Sequence, residues 1–387
     1  MTAGKDAARI IKAAFAPGAR PRLIFGAGCV AQAGRLAGEL GARRVLLVTD
    51  PGVARAGHAA RVAALLAAPG RTLSIFDGVR ENPTTKDVAA CVEAARAGEA
   101  DLLVGLGGGS ALDTAKGCNF LLTNGGRMAD YWGVGKATRP MLPFLAIPTT
   151  AGTGSECQSA ALIADEVTHQ KMACLDKKAT AFAALLDPEL TFSQPPRVTA
   201  STGLDAVAHA VESAVTRKRN PVSAAFAQEA FRLCFGAFPR VLAHPGDLAA
   251  RGDMLLGAAL AGLAIENSML GAAHSAANPL TAHFQIAHGL AVGLMLPHVV
   301  RFNLAHGEAE PAYRDLAAAA GLAASQLPEC LAGLLTAASL PSRLRDWGVT
   351  EDSLHQLASE AATQWTAQFN PAPVAAGDFL SLYRQAF

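Results

Sequence analysis

Charge is scarce in this chain. Of 387 residues only 17% are Asp, Glu, Lys or Arg, and they nearly cancel to a net charge of +1. No basic stripe stands out, so nucleic acid is not an expected partner, because phosphate binding needs clustered Lys and Arg. The seven cysteines, at 29, 91, 118, 157, 174, 234 and 330, are odd in number, scattered and never spaced as CxxC. That argues against a disulfide framework or a zinc ribbon and reads them as small buried hydrophobes. Long apolar runs are missing too: none approaches the ~20 uninterrupted residues of a membrane helix. The first 20 residues hold early charges and no compact apolar block before a small-residue cleavage site. They do not read as a secretory signal, so the expected location is cytoplasmic and no membrane partner is expected.

What is abundant is apolar content, 51% of the chain, which excludes a disordered or linker-like protein. The length suits two domains, each able to bury its own core. In the first half, short apolar segments alternate with helical ones. Arg22–Gly26, Arg44–Thr49, Thr72–Phe76, Leu102–Leu106, Pro143–Ile147 and Ala183–Leu190 read as strands. Such alternation predicts a parallel sheet covered by helices on both faces. From Thr199 the pattern turns to long Ala/Leu helices, including Val207–Thr216, Ala224–Leu242 and Ala249–Met269. Prolines 188, 195 and 196 cluster at the change, which places a boundary in 188–198. The expected division is an α/β domain over 1–191 and an all-helical domain over 192–387.

Within Leu103–Lys116, LVGLGGGSALDTAK, three glycines separate an apolar strand from a helix. Glycines let a backbone approach an anion closely, and the helix behind them offers free N–H groups and a positive dipole end. Gly107, Gly108, Gly109 and Ser110 are therefore candidate phosphate contacts. Ser110 and Asp113 stand in the relation of a capping box, which would start the helix at Ser110. A second turn, Gly26–Ala31, mimics the dinucleotide pattern G-x-G-x-x-A, a weak match on its own. Asp50, at the end of the next strand, carries more information. A carboxylate there accepts from ribose hydroxyls and repels a 2′-phosphate, which favours NAD over NADP.

Asp205 and His209 lie four apart in GLDAVAHAVESA, a helical pattern, on one face. Alone, such a pair reads as readily as an ion pair or a core histidine. His274 and His288, however, sit in Gly271–Pro297, almost free of charge, where imidazoles need partners. One carboxylate and three neutral imidazoles form a donor set for a borderline divalent ion, and ligand type does not separate iron from zinc. His283 and His298 lie in the same region. His58, His169, His244, His306 and His355 have no partners in sequence and read as surface or structural.

Together, GGGSALDTAK (107–116), AIPTTAGTGSE (146–156), LDPEL (186–190), GLDAVAHAVE (203–212), His274 and AHGLAVGLMLPH (287–298) resemble the iron-dependent (group III) alcohol dehydrogenases, in that family's order. The resemblance implies a Rossmann-like α/β dinucleotide domain followed by a helical metal-binding domain, the dehydroquinate synthase-like fold. It implies hydride exchange between NAD(H) and a small alcohol or its aldehyde or ketone, at a cleft between the domains, and a homodimer. It implies Asp205, His209, His274 and His288 as ligands of one divalent metal, Fe²⁺ before Zn²⁺. Asn82, Thr149, Thr150, Thr153 and, from its position, Lys171 are implied as further cofactor contacts beside Asp50, Gly107–Ser110 and Asp113. Where many members carry a histidine four residues after the third ligand, this chain has Asn278, which is no acid or base at neutral pH. His283 or ordered water with ribose hydroxyls are the alternatives for the proton. Two rival readings share the fold: a metal-independent reductase like maleylacetate reductase, and a non-catalytic nucleotide sensor.

Overall fold

A computed structural model describes residues 2–168 and 170–387, so the reading of His169 lies outside the described residues. The chain divides into two compact units. One comprises Lys12–Thr150 and Gly154–Gln194. The other comprises Pro195–Phe387, the short loop Ala151–Thr153 and the N-terminal stretch through Ile11.

Among the described residues the first unit carries nine strands: β1 (Arg22–Phe25), β2 (Arg44–Val48), β3 (Thr72–Phe76), β4 (Leu102–Gly107), β5 (Gly133–Val134), β6 (Phe144–Pro148), β7 (Ala160–Ala164), β8 (Lys171–Leu175) and β9 (Ala183–Leu186). Six form one sheet in the order β1-β9-β6-β4-β2-β3, with every pairing parallel. The burial explains why these strands are continuous apolar runs. Leu46, Val48 and Leu103 point into one core and Val45, Leu47, Val104 and Leu145 into another. Successive side chains alternate between faces, so a sheet roofed on both sides needs both sets apolar. The helices Thr85–Ala97 and Gly109–Asn124 cover the first face; Ala33–Glu39 and His58–Leu66 cover the second.

The connections step from β2 outward to β3, then return to β4 and run the other way through β6 and β9. Between β2 and β4 the winding therefore reverses, and such a switch point leaves a crevice at the carboxyl ends of the strands. Asp50 follows β2, and Gly107–Gly109 close β4.

Two expectations need correction here. The three-stranded sheet β5-β8-β7 was not foreseen: β7 is Ala-Ala-Leu-Ile-Ala and β5 spans two residues, too little β-branched content to signal strand. The predicted strand Ala183–Leu190 stops at Leu186, because Asp187 caps a short helical turn that begins at Pro188.

Asp187 also explains the Gly26–Ala31 turn. Its carboxylate accepts from the backbone N–H of Gly28 (3.1 Å) and of Val30 (3.2 Å), and its side chain is fully buried. A carboxylate of the chain thus fills the place where a dinucleotide phosphate would sit in a Rossmann turn. The turn locks β1 to β9 and is no ligand loop.

The second unit is helical. Pro196–Val215, Pro221–Ala243, Leu248–Glu266, Ala272–Phe284 and His288–Ala305 supply its centre. The first two start with Pro at their opening position, where the missing N–H costs nothing. Leu248–Glu266, 19 residues with mean hydropathy 1.5, has the length and apolarity of a membrane span, yet most of it is buried among its neighbours as a core helix. Six of the seven cysteines are buried and Cys330 is half-buried, all as free thiols.

The Asp187 junction makes a direct prediction. Asp187→Ala leaves the Gly28 and Val30 N–H groups without their acceptor and should destabilise the fold by about 3 kcal/mol, measured by denaturant unfolding. A loss below about 0.5 kcal/mol would show that the junction does not hold the turn.

Candidate functional site

The residues after β2, β4 and β6 meet at the carboxyl edge of the sheet. Asp50 Oδ1 accepts from the N–H of Gly52 (2.8 Å) and Val53 (3.0 Å), which fixes the carboxylate at the start of a short helix. Gly107 has φ +149°, and a Cβ there would lie 2.8 Å from Ala111 Cβ and 3.2 Å from Asp50 Oδ2. Only glycine fits between strand, helix and carboxylate. Thr149 N–H donates to the Gly107 carbonyl (3.0 Å), and the Thr150 side chain packs over Gly108, 3.2 Å from where a Cβ would stand. Asn82, in the left-handed region at φ 52°, donates its backbone N–H to Ser110 Oγ (3.2 Å). Asp50, Asn82, Gly107, Gly108, Ser110, Thr149 and Thr150 are thus brought together, with Gly109 as the first helical residue.

Lys171 opens β8 opposite Ala164, whose N–H donates to Pro83 O (2.9 Å). The second sheet sets it two strand spacings, about 10 Å, from the Asn82–Thr84 segment. Thr153, in the loop Ala151–Thr153, belongs to the helical unit.

Asp113 departs from its expected capping role. The helix starts at Gly109, its N-cap is Gly108, and no side chain caps it. Asp113 turns inward instead: it accepts from Ser155 Oγ (2.6 Å) and Leu162 N–H (3.2 Å) and pairs with Lys116 Nζ (3.1 Å). The reason is Lys116, 1% exposed, a buried ammonium that must be paired. It donates to Ser155 O (3.0 Å), Ser155 Oγ (2.8 Å) and the Ala160 carbonyl. Sequence reading missed this lysine, although the Asp-x-x-Lys spacing in an otherwise apolar helix was the available signal. The pair ties the glycine-loop helix to the segment after β6.

Glu156 lies beside that cluster, buried, with Oε1 lacking a hydrogen-bond partner. Burial pushes its carboxyl up to about 7, against the lowering by Lys116.

In the helical unit, Asp205 and His209 project one turn apart from Pro196–Val215. His274 sits in the first turn of Ala272–Phe284 and His288 opens His288–Ala305. Gly289 lets that last helix reach Asp205: a Cβ there would lie 2.9 Å from Asp205 Cβ and closer still to the Ser201 carbonyl. Asp205 Oδ1 is 3.5 Å from both His209 Nε2 and His274 Nε2. The two rings stack at 4.9 Å, and His288 lies against His274 with centroids 5.4 Å apart. One donor atom from each of Asp205, His209 and His274 falls within 4.8 Å of the others, all three residues buried. His288 is beside this trio, half-buried at its rim.

Two of the converging atoms, Asp205 Oδ1 and His274 Nε2, are buried without a hydrogen-bond partner. Buried polar atoms rarely stay unpaired, and a carboxylate oxygen among imidazole nitrogens is a donor set that fits a borderline divalent cation. Electrostatics agree. Burial would raise the Asp205 carboxyl, but the surrounding histidines outweigh it and hold the group far below the usual carboxylate range. Burial would lower His274; Glu212 and Asp205 overcome it and push the imidazole up to about 9. His209, by contrast, is lowered by its burial. The site is built to attract positive charge.

Other supports escaped the sequence reading. His209 Nδ1 faces the Gly152 carbonyl (3.2 Å), and His274 Nδ1 faces Glu212 Oε2 (2.5 Å). Glu212 was legible in principle: it lies seven residues from Asp205, on the same helical face, in an apolar helix.

His283 does not join the site. It is exposed and paired with Glu360 (2.8 Å). Nine residues beyond His274 on one helix, it is displaced by about 13 Å and turned to the opposite side. Asn278 donates to Gln364 Oε1 (2.9 Å), an amide pair with no titratable group. His298, half-buried, is pushed down to about 4 by burial.

Comparison with known proteins places this geometry. The sequence model of the iron-containing alcohol dehydrogenases matches residues 20–188, and that of the Fe-containing alcohol dehydrogenase C-terminal domain matches residues 199–387. The chain belongs to the iron-containing alcohol dehydrogenase family. Alcohol dehydrogenase 4 of Schizosaccharomyces pombe is 35% identical, over 94% of this chain and 87% of that one. The NAD-dependent methanol dehydrogenase of Bacillus methanolicus is 33% identical, over 95% and 98%. A crystal structure of 1,3-propanediol oxidoreductase superposes with a TM-score of 0.91 at 31% identity, covering 95% of this chain and 98% of that one. This family's fold is the one described above, and the chain is an NAD-dependent alcohol dehydrogenase of that class.

Glu156 offers a pH test. Burial raises its carboxyl from the ordinary 4.5 to about 7 in the fold, so the neutral form is favoured there. That contribution is complete below pH 4.5 and is lost as pH rises through about 7. Glu156→Gln should therefore unfold near the parent's midpoint at pH 5 and gain up to about 3 kcal/mol over it at pH 8. Equal stability differences at both values would refute the buried-carboxyl account.

Proposed function

We propose that this protein interconverts a small alcohol and its aldehyde or ketone with NAD(H), using one divalent metal held by Asp205, His209, His274 and His288, with Fe²⁺ as the resident ion and Zn²⁺ as the substitute. The observation that carries the reading is the convergence of Asp205 Oδ1, His209 Nε2 and His274 Nε2 in a buried site, two of them without any other partner. When bound, the cation supplies Lewis acidity toward the substrate oxygen, and NAD⁺ accepts the hydride from the carbinol carbon.

The residues of the chain do the holding. His209 Nδ1–H donates to the Gly152 carbonyl, so that the Nε2 lone pair faces inward. The stacked rings of His209 and His274 fix each other's plane. Asp50, Asn82, the Gly107–Ser110 turn, Thr149, Thr150 and Thr153 are the proposed cofactor contacts, with Lys171 reaching from β8 and Asp113 acting through Lys116. Asp50, tied down by two backbone N–H groups, presents its second oxygen to a ribose and repels a 2′-phosphate, which supports NAD over NADP. With Asn278 bound to Gln364 and His283 at the surface, neither offers a proton relay, and the proton is assigned to water and the ribose hydroxyls.

The metal-independent reductase reading leaves Asp205 Oδ1 and His274 Nε2 buried and unsatisfied, and so is disfavoured. Seven free thiols suit a reducing compartment and support the cytoplasm. The outer strand β3, with Ile75 exposed at 47%, supports a homodimer paired through an edge strand.

The test is His274→Ala, assayed for bound metal by emission spectrometry and for alcohol-dependent NADH formation, with NAD and NADP compared in the parent. Metal and turnover should fall together, turnover by at least about 100-fold, and the parent should prefer NAD. A variant that loses its metal yet keeps full turnover would sink the proposal.

A further inference from the structure

Resting on the metal reading above, we propose that Glu212 is a positioning residue: its carboxylate sets the tautomer and the place of His274, and supplies the second negative charge that balances the cation. Glu212 is 3% exposed, on the helix of Asp205 and His209. Its Oε2 lies 2.5 Å from His274 Nδ1, and its Oε1 accepts from Ala273 N–H at 2.7 Å. A neutral imidazole has one N–H. With that proton directed at Glu212, Nε2 keeps its lone pair for the side where Asp205 Oδ1 stands 3.5 Å away. The reverse tautomer would aim an N–H at the cation and give Glu212 no proton.

The second oxygen does separate work. The helix Ala272–Phe284 has no cap from its own side chains, and its first N–H groups lack intrahelical acceptors. Glu212 takes the one at Ala273, while Asn370 Oδ1 takes the one at Ala272 (3.3 Å). A negative group at a helix N-terminus is also favoured by the dipole. Glu212 therefore fixes both the ring of His274 and the backbone that carries it. His209 is held differently, by the uncharged Gly152 carbonyl at 3.2 Å. The two histidines thus differ in basicity, with His274 the stronger donor, since a carboxylate behind an imidazole raises its ligand strength. Asp205 and Glu212 together carry two negative charges, equal and opposite to a divalent ion.

Glutamine at 212 keeps the shape but cannot accept from both N–H groups. One contact must be lost, or the ring must turn to the wrong tautomer. The experiment titrates the metal-stripped parent, Glu212→Gln, Glu212→Asp and Asn370→Ala with Co²⁺, reading affinity and the visible ligand-field spectrum, alongside thermal unfolding of each metal-free protein. Glu212→Gln should bind Co²⁺ about 10- to 100-fold more weakly with an altered spectrum. Glu212→Asp, a shorter carboxylate, should fall between. Asn370→Ala, which removes the cap at Ala272 together with the bonds to Asn303 and Ala372 but leaves Glu212 and His274 in contact, should lower the melting temperature yet keep the affinity within about twofold. The inference is overturned if Glu212→Gln matches the parent in affinity and spectrum, or if Asn370→Ala weakens Co²⁺ as much as Glu212→Gln does. Should Glu212→Gln fail to fold, Glu212→Asp against Asn370→Ala decides by the same comparison. A parent that binds no Co²⁺ overturns the metal reading itself; a parent that binds beside an unaffected Glu212→Gln overturns this inference alone.

Discussion

A buried carboxylate oxygen facing buried imidazole nitrogens is the constraint around which the helical unit is arranged. Asp205 Oδ1 stands 3.5 Å from Nε2 of both His209 and His274, with all three side chains almost wholly removed from water. An isolated ionised group in such a setting is expensive, and no amount of apolar packing repairs it. Positive charge must be present, as protons or as a cation. The packing follows from that need. Gly289 allows the His288 helix to press onto Asp205, the Gly152 carbonyl orients His209, and Glu212 orients His274.

The α/β unit answers a different demand, room for a phosphate-bearing ligand at the end of a sheet. Its solution is spatial: the winding reverses between β2 and β4, and the loops leaving β2, β4 and β6 gather there. Lys116 and Asp113, buried as a pair beneath the glycine loop, fix the helix whose N-terminus faces that place. Asp187 does the equivalent at β1 and β9 with a carboxylate in a turn that imitates a phosphate loop. The same backbone chemistry, free N–H groups awaiting an anion, gives internal cohesion at the Gly26–Ala31 turn and is the proposed basis of phosphate binding at the glycine loop.

Much of this was legible in the residues. Strands buried on both faces must be apolar throughout, so the six strands of the main sheet stood out, and so did the passage to helices near the prolines at 195 and 196. Asp205 and His209 were visible as one helical face. What hid was whatever depends on contacts distant in sequence. The Gly26–Ala31 turn looks like a ligand loop until Asp187, far along the chain, is seen to fill it. Asp113 looks like a cap until the buried Lys116 claims it. His283 looks available because it is near His274 in sequence, although nine residues of one helix carry it to the opposite side, where Glu360 pairs with it. The helices Ala272–Phe284 and His288–Ala305 each hold an interior proline, which blurs the periodic pattern, and the short Ala-rich β7 carries too weak a strand signal to be seen alone.

The central claim is that the buried Asp–His cluster is a functional metal site in an NAD-dependent alcohol dehydrogenase. It is tested most directly by stripping the purified protein with a chelator under anaerobic conditions and restoring it with Fe²⁺ or Zn²⁺, following alcohol-dependent NADH formation. Turnover should disappear on stripping and return at about one equivalent of metal per chain. Full turnover in metal-free protein would contradict the claim.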